Sequence, residues 1–274
     1  MILAGYIKKK GLWDDPRVRE MISGLEAAGS EVYPVSSQAD VRPGTDALLS
    51  LGGDGTFLSA ARIAVPSSLP VLGVNLGRLG FLSECRPEDL PAALRAGEFR
   101  VEERKLLQVS AEGFLPDGFW PFALNETGVS RIGASMLGVD VELDGETLPT
   151  WWADGLLVAT STGSTAYSLS VGGPICTPDA KVFIVAPISP HNLNVRPLVV
   201  PNTSRIAISF RSREDSVALS VDNRTCRIPA GARVEVCASP RSLKRLCIGK
   251  PNFINALRTR LLWGEDVRNG NEAL

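Results

Sequence analysis

Apolar runs and helix-like segments alternate through the first hundred residues. The runs predict strands over residues 2–7, 32–35, 47–51 and 71–74. The segments between them carry apolar side chains at helical spacing and predict helices over residues 16–28, 56–64 and 87–95. Strands that alternate with helices are typical of an α/β domain with a parallel sheet.

The pattern changes after Gly97 to β-branched segments in which apolar and polar residues alternate. Asp144-Gly145 between two such segments predicts a two-residue hairpin turn. The second half is therefore expected to be mostly β. Its predicted strands cover residues 100–110, 123–131, 138–143, 156–160, 182–186, 206–210, 217–221 and 234–237.

Composition and charge narrow the class of protein. The chain has 274 residues, enough for one large or two small domains. Its 29 basic and 30 acidic residues nearly cancel, so the charge gives no signal for nucleic acid or a membrane surface as partner. An anionic ligand must then be captured locally.

Cysteine usage and the amino terminus bear on location. The five cysteines are scattered, odd in number and without a CxxC pair, which argues against a disulfide framework and a zinc site. We expect reduced, mostly buried thiols. The sequence has no 18-residue apolar run and no signal-like core at its start, and we expect the protein in the cytoplasm.

The most informative stretch is Gly-Gly-Asp-Gly-Thr at residues 52–56, between a predicted strand and a predicted helix. Glycines let backbone N–H groups approach an anion, and the positive end of the helix points to the same place. A carboxylate there is repelled by phosphate unless it holds a metal ion or accepts a proton, so Asp54 indicates phosphoryl transfer. The alternative is an ordinary strand–helix turn in which Asp54 caps the helix.

Several motifs in one order extend this observation. Four further motifs follow the pentapeptide along the chain. They are Gly-Val-Asn-Leu-Gly-Arg-Leu-Gly-Phe-Leu at 73–82, Asn125-Glu126, the glycine-rich segment 154–174 and Pro-Ile-Ser-Pro-His at 187–191. Together they resemble the NAD kinase family over about residues 46–200. The pentapeptide alone is shared with diacylglycerol kinases and phosphofructokinases, whereas the long glycine-rich segment resembles NAD kinases.

The resemblance implies a two-domain NAD kinase-like fold. It consists of an α/β domain over residues 1–97 that carries the pentapeptide, a β-rich NAD-binding domain over residues 98–245, and a carboxyl-terminal segment, 246–274, that packs back on the first domain. The reaction implied is transfer of the γ-phosphoryl group of ATP, or of another triphosphate or polyphosphate, to the 2′-hydroxyl of the adenosine ribose of NAD. Mg²⁺ is the expected metal, with no assigned ligand set.

The resemblance also implies roles for individual residues. Asp54 is the catalytic candidate, as a base or as a metal ligand. Asn125 and Glu126 are expected on the adenosine half of NAD, and Asp154 and Tyr167 can come from a neighbouring subunit, which implies a homodimer or homotetramer. The remaining expected nucleotide contacts are Gly53, Gly55, Thr56, Phe57, Thr162, Thr165, Ala166, Ser170 and Asn223.

Other conspicuous residues have structural interpretations. His191, the one histidine of the sequence, lies in a proline-rich strand exit and is not expected to be catalytic. Trp151 and Trp152 should point to opposite faces of a strand, so that one of them is core or interface. Residues 8–10, three lysines, and Arg78 are weaker anion candidates. Asn223 stands in a late β turn where a glycine is usual in the family, and it tolerates a left-handed backbone.

Two other classes of protein remain open. A lipid kinase would use the same glycine loop but would need an apolar pocket, which the polar Asn125-Glu126 pair and residues 162–170 disfavour. A non-catalytic NAD(P)-binding module gains nothing from a carboxylate beside phosphate, so Asp54 disfavours it.

Overall fold

The computed structural model describes residues 1–9, 11–78, 80–249 and 253–264. Lys10 of the lysine run, and residues 250–252 and 265–274 of the expected carboxyl-terminal segment, lie outside this description. The chain forms two compact units. One contains residues 1–102 together with the chain from residue 244 onward, and the other contains residues 103–243.

The first unit is built on a parallel sheet in the order β2-β1-β3-β4. Its central strands are the apolar runs of the sequence, and every residue of β3 and β4 is buried. Arg245 of the last strand pairs in parallel with Val71, which extends the sheet beyond β4. The strands and helices are β1 Ile2–Tyr6, α1 Pro16–Ala27, β2 Glu31–Val35, β3 Ala47–Leu51, α2 Asp54–Ala64, β4 Val71–Val74 and α3 Leu90–Ala96.

Two helices begin at residues other than those predicted. Helix α2 starts at Asp54, two residues early, because the carbonyl of Gly53 already accepts the N–H groups of Thr56 and Phe57. Asp54 thus lies in the first turn of the helix. Helix α3 starts at Leu90 and not at residue 87, since the N–H of Asp89 is used in a turn onto Arg86.

The second unit consists of two antiparallel sheets with one hydrophobic core between them. One sheet has the order β13-β12-β11-β7-β15-β16, and the other contains β10-β8-β14-β17. The start of β5, up to residue 102, and the end of β17, from residue 244, belong to the first unit. The strands and the one short α-helix from residue 99 to residue 248 are β5 Phe99–Ser110, β6 Phe122–Ala123, β7 Glu126–Ser130, β8 Leu137–Leu143, β9 Glu146–Thr147, β10 Trp151–Ala153, β11 Gly155–Thr160, α4 Tyr167–Ser170, β12 Val182–Ile188, β13 Leu198–Pro201, β14 Ile206–Arg211, β15 Ser216–Val221, β16 Arg224–Pro229 and β17 Val234–Ile248.

Helix α5 (Phe253–Leu261) belongs to the first unit. Its Arg260 pairs with Glu84 at 3.2 Å, and the ring of Phe253 lies 6.3 Å from that of Phe81. The short 3₁₀ helices are Leu12–Asp14, Gln38–Asp40, Val65–Ser67 and Thr162–Thr165.

The expected fold class, a parallel α/β unit followed by a mostly β unit, is confirmed. The hairpin at Asp144-Gly145 is also confirmed, with φ of 52° and 90° at its two turn residues and pairing of Leu143 with Glu146. Trp151 is buried and Trp152 is 38% exposed, as alternation along a strand requires.

The thiols differ from the expectation. All five cysteines are free, but only Cys247 is buried, and the other four are partly exposed. No helix within the described residues is long and apolar enough to span a membrane.

Candidate functional site

The glycine turn joins the buried strand β3 to helix α2. Gly52 has φ of 150°, and a Cβ there would lie 2.5 Å from Oγ1 of Thr56, so a side chain at position 52 would collide with the first turn of the helix. Gly53 and Gly55 are exposed, and a Cβ would meet nothing at either. The turn therefore presents open backbone at a helix N-terminus, which suits an anion.

The carboxylate of Asp54 is fixed by three backbone N–H groups from one loop. Phe81 donates to Oδ2 at 2.8 Å, and Leu82 and Ser83 donate to Oδ1 at 3.1 and 2.9 Å. The close approach requires a glycine at position 80, where a Cβ would lie 2.0 Å from Oδ1 of Asp54. The carboxylate is half-buried and tightly oriented, and most of its acceptor positions are occupied.

Asn75 holds the loop that holds Asp54. Its Nδ2 donates to the carbonyls of Arg78 at 2.7 Å and Ser83 at 3.2 Å, and its Oδ1 accepts the N–H of Gly77 at 2.7 Å. Asn75 is 5% exposed. No role was predicted for Asn75 from the sequence, although Asn followed by Leu-Gly is typical of a turn.

The Asn125-Glu126 pair lies at the start of β7 and is organised by Asp222. The carboxylate of Asp222 accepts the N–H groups of Leu124 and Asn125 at 2.9 Å and of Glu126 at 3.3 Å. These N–H groups are diverted to a side chain, so the predicted strand 123–131 is broken into β6 and β7. Asp222 was not among the site residues predicted from the sequence.

The side chain of Glu126 is largely buried, and its Oε2 has no hydrogen-bond partner among the described residues. Burial and the nearby carboxylate of Asp222 raise the pKa of Glu126 to about 8. A hydrogen bond from the backbone N–H of Tyr167 opposes this rise. Burial also raises the pKa of Asp222, opposed by its N–H donors and by Arg224. A buried, unpartnered carboxyl oxygen is a typical feature of a ligand site.

The hydroxyl-rich turn Thr162–Thr165 packs against the same strand end. Thr160 donates its hydroxyl to the carbonyl of Leu124 at 2.6 Å and accepts the N–H of Gly163 at 3.0 Å. A Cβ at Gly163 would lie 2.1 Å from the carbonyl oxygen of Asn125. The turn leads directly to Tyr167, whose backbone N–H reaches Glu126. The other predicted contacts of this segment, Thr162, Thr165, Ala166 and Ser170, lie in the turn or next to Tyr167 in the chain.

Asp154 lies apart from these residues. It precedes β11, whose Gly155 pairs with Ser130, whereas Ala159 of the same strand pairs with Glu126. Gly155 and Ala159 are four steps apart along the strand, a distance of about 13 Å. The carboxylate of Asp154 accepts Nε of Arg131 at 2.5 Å.

Two other predicted contacts, Phe57 and Asn223, and the histidine of the sequence take different environments. Phe57 is completely buried, so its side chain is core and only its backbone can meet a nucleotide. Asn223 is exposed in its turn, but the left-handed residue is Asp222, with φ of 50°, and not Asn223 as expected. The short side chain of Asp tolerates that region, as Asn does. His191 is exposed, and its backbone N–H donates to the carbonyl of Trp152.

Both units match known domain families. Residues 24–97 match the ATP-NAD kinase N-terminal domain, and residues 124–247 match the ATP-NAD kinase C-terminal domain. The chain is 41% identical over 274 residues to the NAD kinase of Porphyromonas gingivalis ATCC 33277, a match that covers 92% of this chain and 94% of that one. It is 40% identical over 245 residues to the NAD kinase of Flavobacterium johnsoniae, covering 87% and 82%.

Solved structures agree with these matches. An NAD kinase from Archaeoglobus fulgidus in complex with ATP superposes with a TM-score of 0.74 at 27% identity, covering 96% of this chain and 98% of that one. Yeast NADH kinase complexed with NADH has a TM-score of 0.83, covering 97% and 89%, and at 23% identity this likeness shows the fold alone.

Proposed function

Since this chain belongs to the NAD kinase family, we propose that it transfers the γ-phosphoryl group of ATP to the 2′-hydroxyl of the adenosine ribose of NAD and thereby makes NADP. A bond forms between the ribose oxygen and the γ-phosphorus, the bond from that phosphorus to the β-phosphate oxygen breaks, and ADP leaves. The family favours this reaction over the lipid-kinase and non-catalytic alternatives.

The observation that carries the proposal is the orientation of Asp54 at an open glycine turn. Asp54 lies in the first turn of α2, and a helix N-terminus is a place where phosphate groups bind well. Its carboxylate is held there by the N–H groups of residues 81–83. Phosphoryl transfer depends mostly on alignment and charge stabilisation, so an oriented carboxylate is what the reaction requires. There it accepts the hydroxyl proton or holds the metal ion.

The proposal includes Mg²⁺, and the residues around Asp54 suit this ion. The described residues contain no group of three His, Cys, Asp or Glu side chains that could hold a metal by themselves. Mg²⁺ in kinases needs only one or two carboxylates, because substrate phosphates and water supply its other ligands. Asp54 is the carboxylate in place. The bound ion supplies neutralisation of the phosphate charge.

We place NAD at Asn125, Glu126 and the turn Thr162–Thr165. The unpartnered Oε2 of Glu126 can accept a ribose hydroxyl or, when protonated, donate to one. The amide of Asn125 can both donate to and accept from the adenine edge. Gly53, Gly55 and Thr56 then face the phosphates of ATP.

We further propose a homodimer or homotetramer in which Asp154 and Tyr167 serve the site of a neighbouring subunit. Asp154 lies at the far end of β11 from Glu126, so it does not share the pocket that Glu126 forms in its own chain. Tyr167 is 45% exposed, as a residue that reaches another subunit must be. A cytoplasmic location, which fits the five free cysteines, completes the proposal.

The test is Asp54→Asn, which removes charge but keeps shape. We expect kcat to fall by about 10²- to 10⁴-fold while NAD binding stays largely intact, because the group acts mainly in the transition state. NADP formation from NAD, Mg²⁺ and ATP, with polyphosphate as an alternative donor, measures it.

The matched control is Asp40→Asn. The carboxylate of Asp40 also accepts backbone N–H groups, from Ser36 and Ser37 at 2.8 Å, but it lies outside the glycine turn. This variant should retain wild-type kcat. Activity of Asp54→Asn within threefold of wild type would refute the assignment of Asp54.

A further inference from the structure

Arg245, near the end of β17, is a buried arginine whose guanidinium contacts the Asp54 loop. Its side chain is 5% exposed and pairs with Glu84 at 2.9 Å and with Glu102 at 3.6 Å. Its Nη2 also donates to the carbonyl oxygen of Leu82 at 3.2 Å. The two carboxylates compensate the buried charge, so the guanidinium is available to hold the backbone at residue 82.

The contact with Leu82 bears directly on Asp54. The carbonyl of Leu82 and the N–H of Ser83 belong to one planar peptide group. That N–H donates to Oδ1 of Asp54 at 2.9 Å. Fixing the carbonyl therefore fixes the direction of the N–H, and a charged donor on the oxygen polarises the group and strengthens the N–H as a donor.

Glu84 anchors the guanidinium at the other side. Its Oε2 accepts from Arg245, and its Oε1 accepts from Nη1 of Arg260 at 3.2 Å. Both oxygens of Glu84 are thus engaged by different arginines. These polar contacts form a continuous series. It leads from Arg260 through Glu84 and Arg245 to the 82–83 peptide, and from there to Asp54.

We propose that Arg245 is a positioning residue for phosphoryl transfer, which acts through the 82–83 peptide to orient the Asp54 carboxylate. The inference rests on the role of Asp54 proposed above. A misplacement of about 1 Å at a reacting group can cost about 10²-fold in rate. Arg245 itself touches neither substrate, so its loss should lower kcat and leave the Michaelis constants unchanged.

The test compares Arg245→Lys and Arg245→Met. Arg245 lines a cavity of about 180 Å³, so a shorter side chain has room to turn away from Leu82. Lysine keeps the charge beside Glu84 but lacks the planar fork that reaches two acceptors at once. We expect kcat to fall about 10-fold for Arg245→Lys and about 100-fold for Arg245→Met. KM for NAD and for ATP should stay within threefold in both.

Leu25→Ala is the stability control, because Leu25 is a fully buried core residue of the same unit. It should lower Tm at least as much as Arg245→Lys and still retain wild-type kcat at a temperature where it is folded. The inference is overturned if Arg245→Lys keeps kcat within threefold, if its loss appears in KM instead, or if Leu25→Ala loses kcat equally.

Asp54→Asn, assayed in parallel, separates the two proposals. If Asp54→Asn is active, the assignment of Asp54 fails, and the inference about Arg245 fails with it. If Asp54→Asn is inactive while both Arg245 variants are fully active, only the role of Arg245 is refuted.

Discussion

Two carboxyl groups, those of Glu126 and Asp222, share one largely buried site at the start of β7. Asp222 has three N–H donors, whereas Oε2 of Glu126 has no hydrogen-bond partner among the described residues. Burial raises the pKa of both carboxyl groups, and more N–H donors oppose the rise at Asp222 than at Glu126. Its pKa of about 8 means that Glu126 is largely protonated at neutral pH, and a protonated carboxyl can donate a hydrogen bond to NAD.

The raised pKa makes stability depend on pH. Folding binds a proton at Glu126 between its ordinary value of 4.5 and about 8. The stabilisation that this proton provides is fully present below the ordinary pKa and is lost as the pH rises through the raised pKa. Glu126→Gln stays neutral throughout. We expect the free energy of unfolding of this variant, relative to wild type, to rise from pH 5 to pH 8 by at least about 1.4 kcal/mol, the equivalent of one pKa unit.

Urea unfolding without nucleotide at several pH values measures this difference. Glu146→Gln makes the same chemical change at an exposed position and should give a constant difference from wild type. If the difference in free energy of unfolding between Glu126→Gln and wild type is also independent of pH, the pKa of Glu126 is not raised in the folded protein.

At the scale of elements, the turn Thr162–Thr165 is closely packed against the strand end that carries Asn125. The fit depends on Gly163, where a Cβ would lie 2.1 Å from the carbonyl oxygen of Asn125 and 2.7 Å from its Cα. Both are backbone atoms, so no side chain can move aside. The turn and the strand end at Asn125 are therefore in direct backbone contact.

Gly163→Ala should separate the turn from the strand. We expect it to destabilise the protein by about 1–3 kcal/mol, as overpacking does, and to raise KM for NAD more than KM for ATP. Gly231→Ala is the control, since a Cβ there meets nothing within 4 Å. Thermal unfolding and steady-state kinetics measure both. Equal behaviour of the two variants would contradict the close packing.

Elements with a strong local signal could be predicted from the sequence. The strands at residues 47–51 and 71–74 agree with β3 and β4 at both ends, since continuous apolar runs bounded by turn residues leave little ambiguity. Predictions were wrong for elements whose ends depend on partners distant in sequence. β17 extends to Ile248, far past the predicted residue 237, because its end pairs with Val71, more than 170 positions earlier in the chain.

The candidate site shows the same division. Asp54 was predicted from the glycine turn that surrounds it, and Asn125 and Glu126 from the family resemblance; their roles stay predictions. Asp222 and Arg245 could not be predicted, because they contact backbone groups that are distant in sequence. Asp222, for example, accepts N–H groups from residues 96–98 positions earlier. No local pattern encodes such a contact. Asn75 makes local contacts, and its turn signal was not interpreted as part of a site.

At the scale of the whole molecule, the proposed shared site makes activity a property of the assembly. Asp54→Asn and Tyr167→Ala should each be inactive alone. Mixed and reassembled, they should regain part of the activity, because some sites then combine an intact Asp54 from one chain with an intact Tyr167 from the other. NADP formation after mixing measures this.

The control mixes Asp54→Asn with the double variant Asp54→Asn, Tyr167→Ala. No chain in that mixture has Asp54, so no activity should return. Sedimentation at the assay concentration gives an independent check. A fully active monomer would rule out the shared site.

The first unit is discontinuous in sequence, with residues 103–243 between its two parts. During translation, Asp54 leaves the ribosome early, but Arg245 follows only after the whole second unit has been made. Domains generally fold as units in the order of synthesis. A nascent chain thus lacks the contact of Arg245 with the carbonyl of Leu82 until its last part emerges. If Arg245 has the proposed role, we expect a chain interrupted in the second unit to yield a fragment that wastes little ATP.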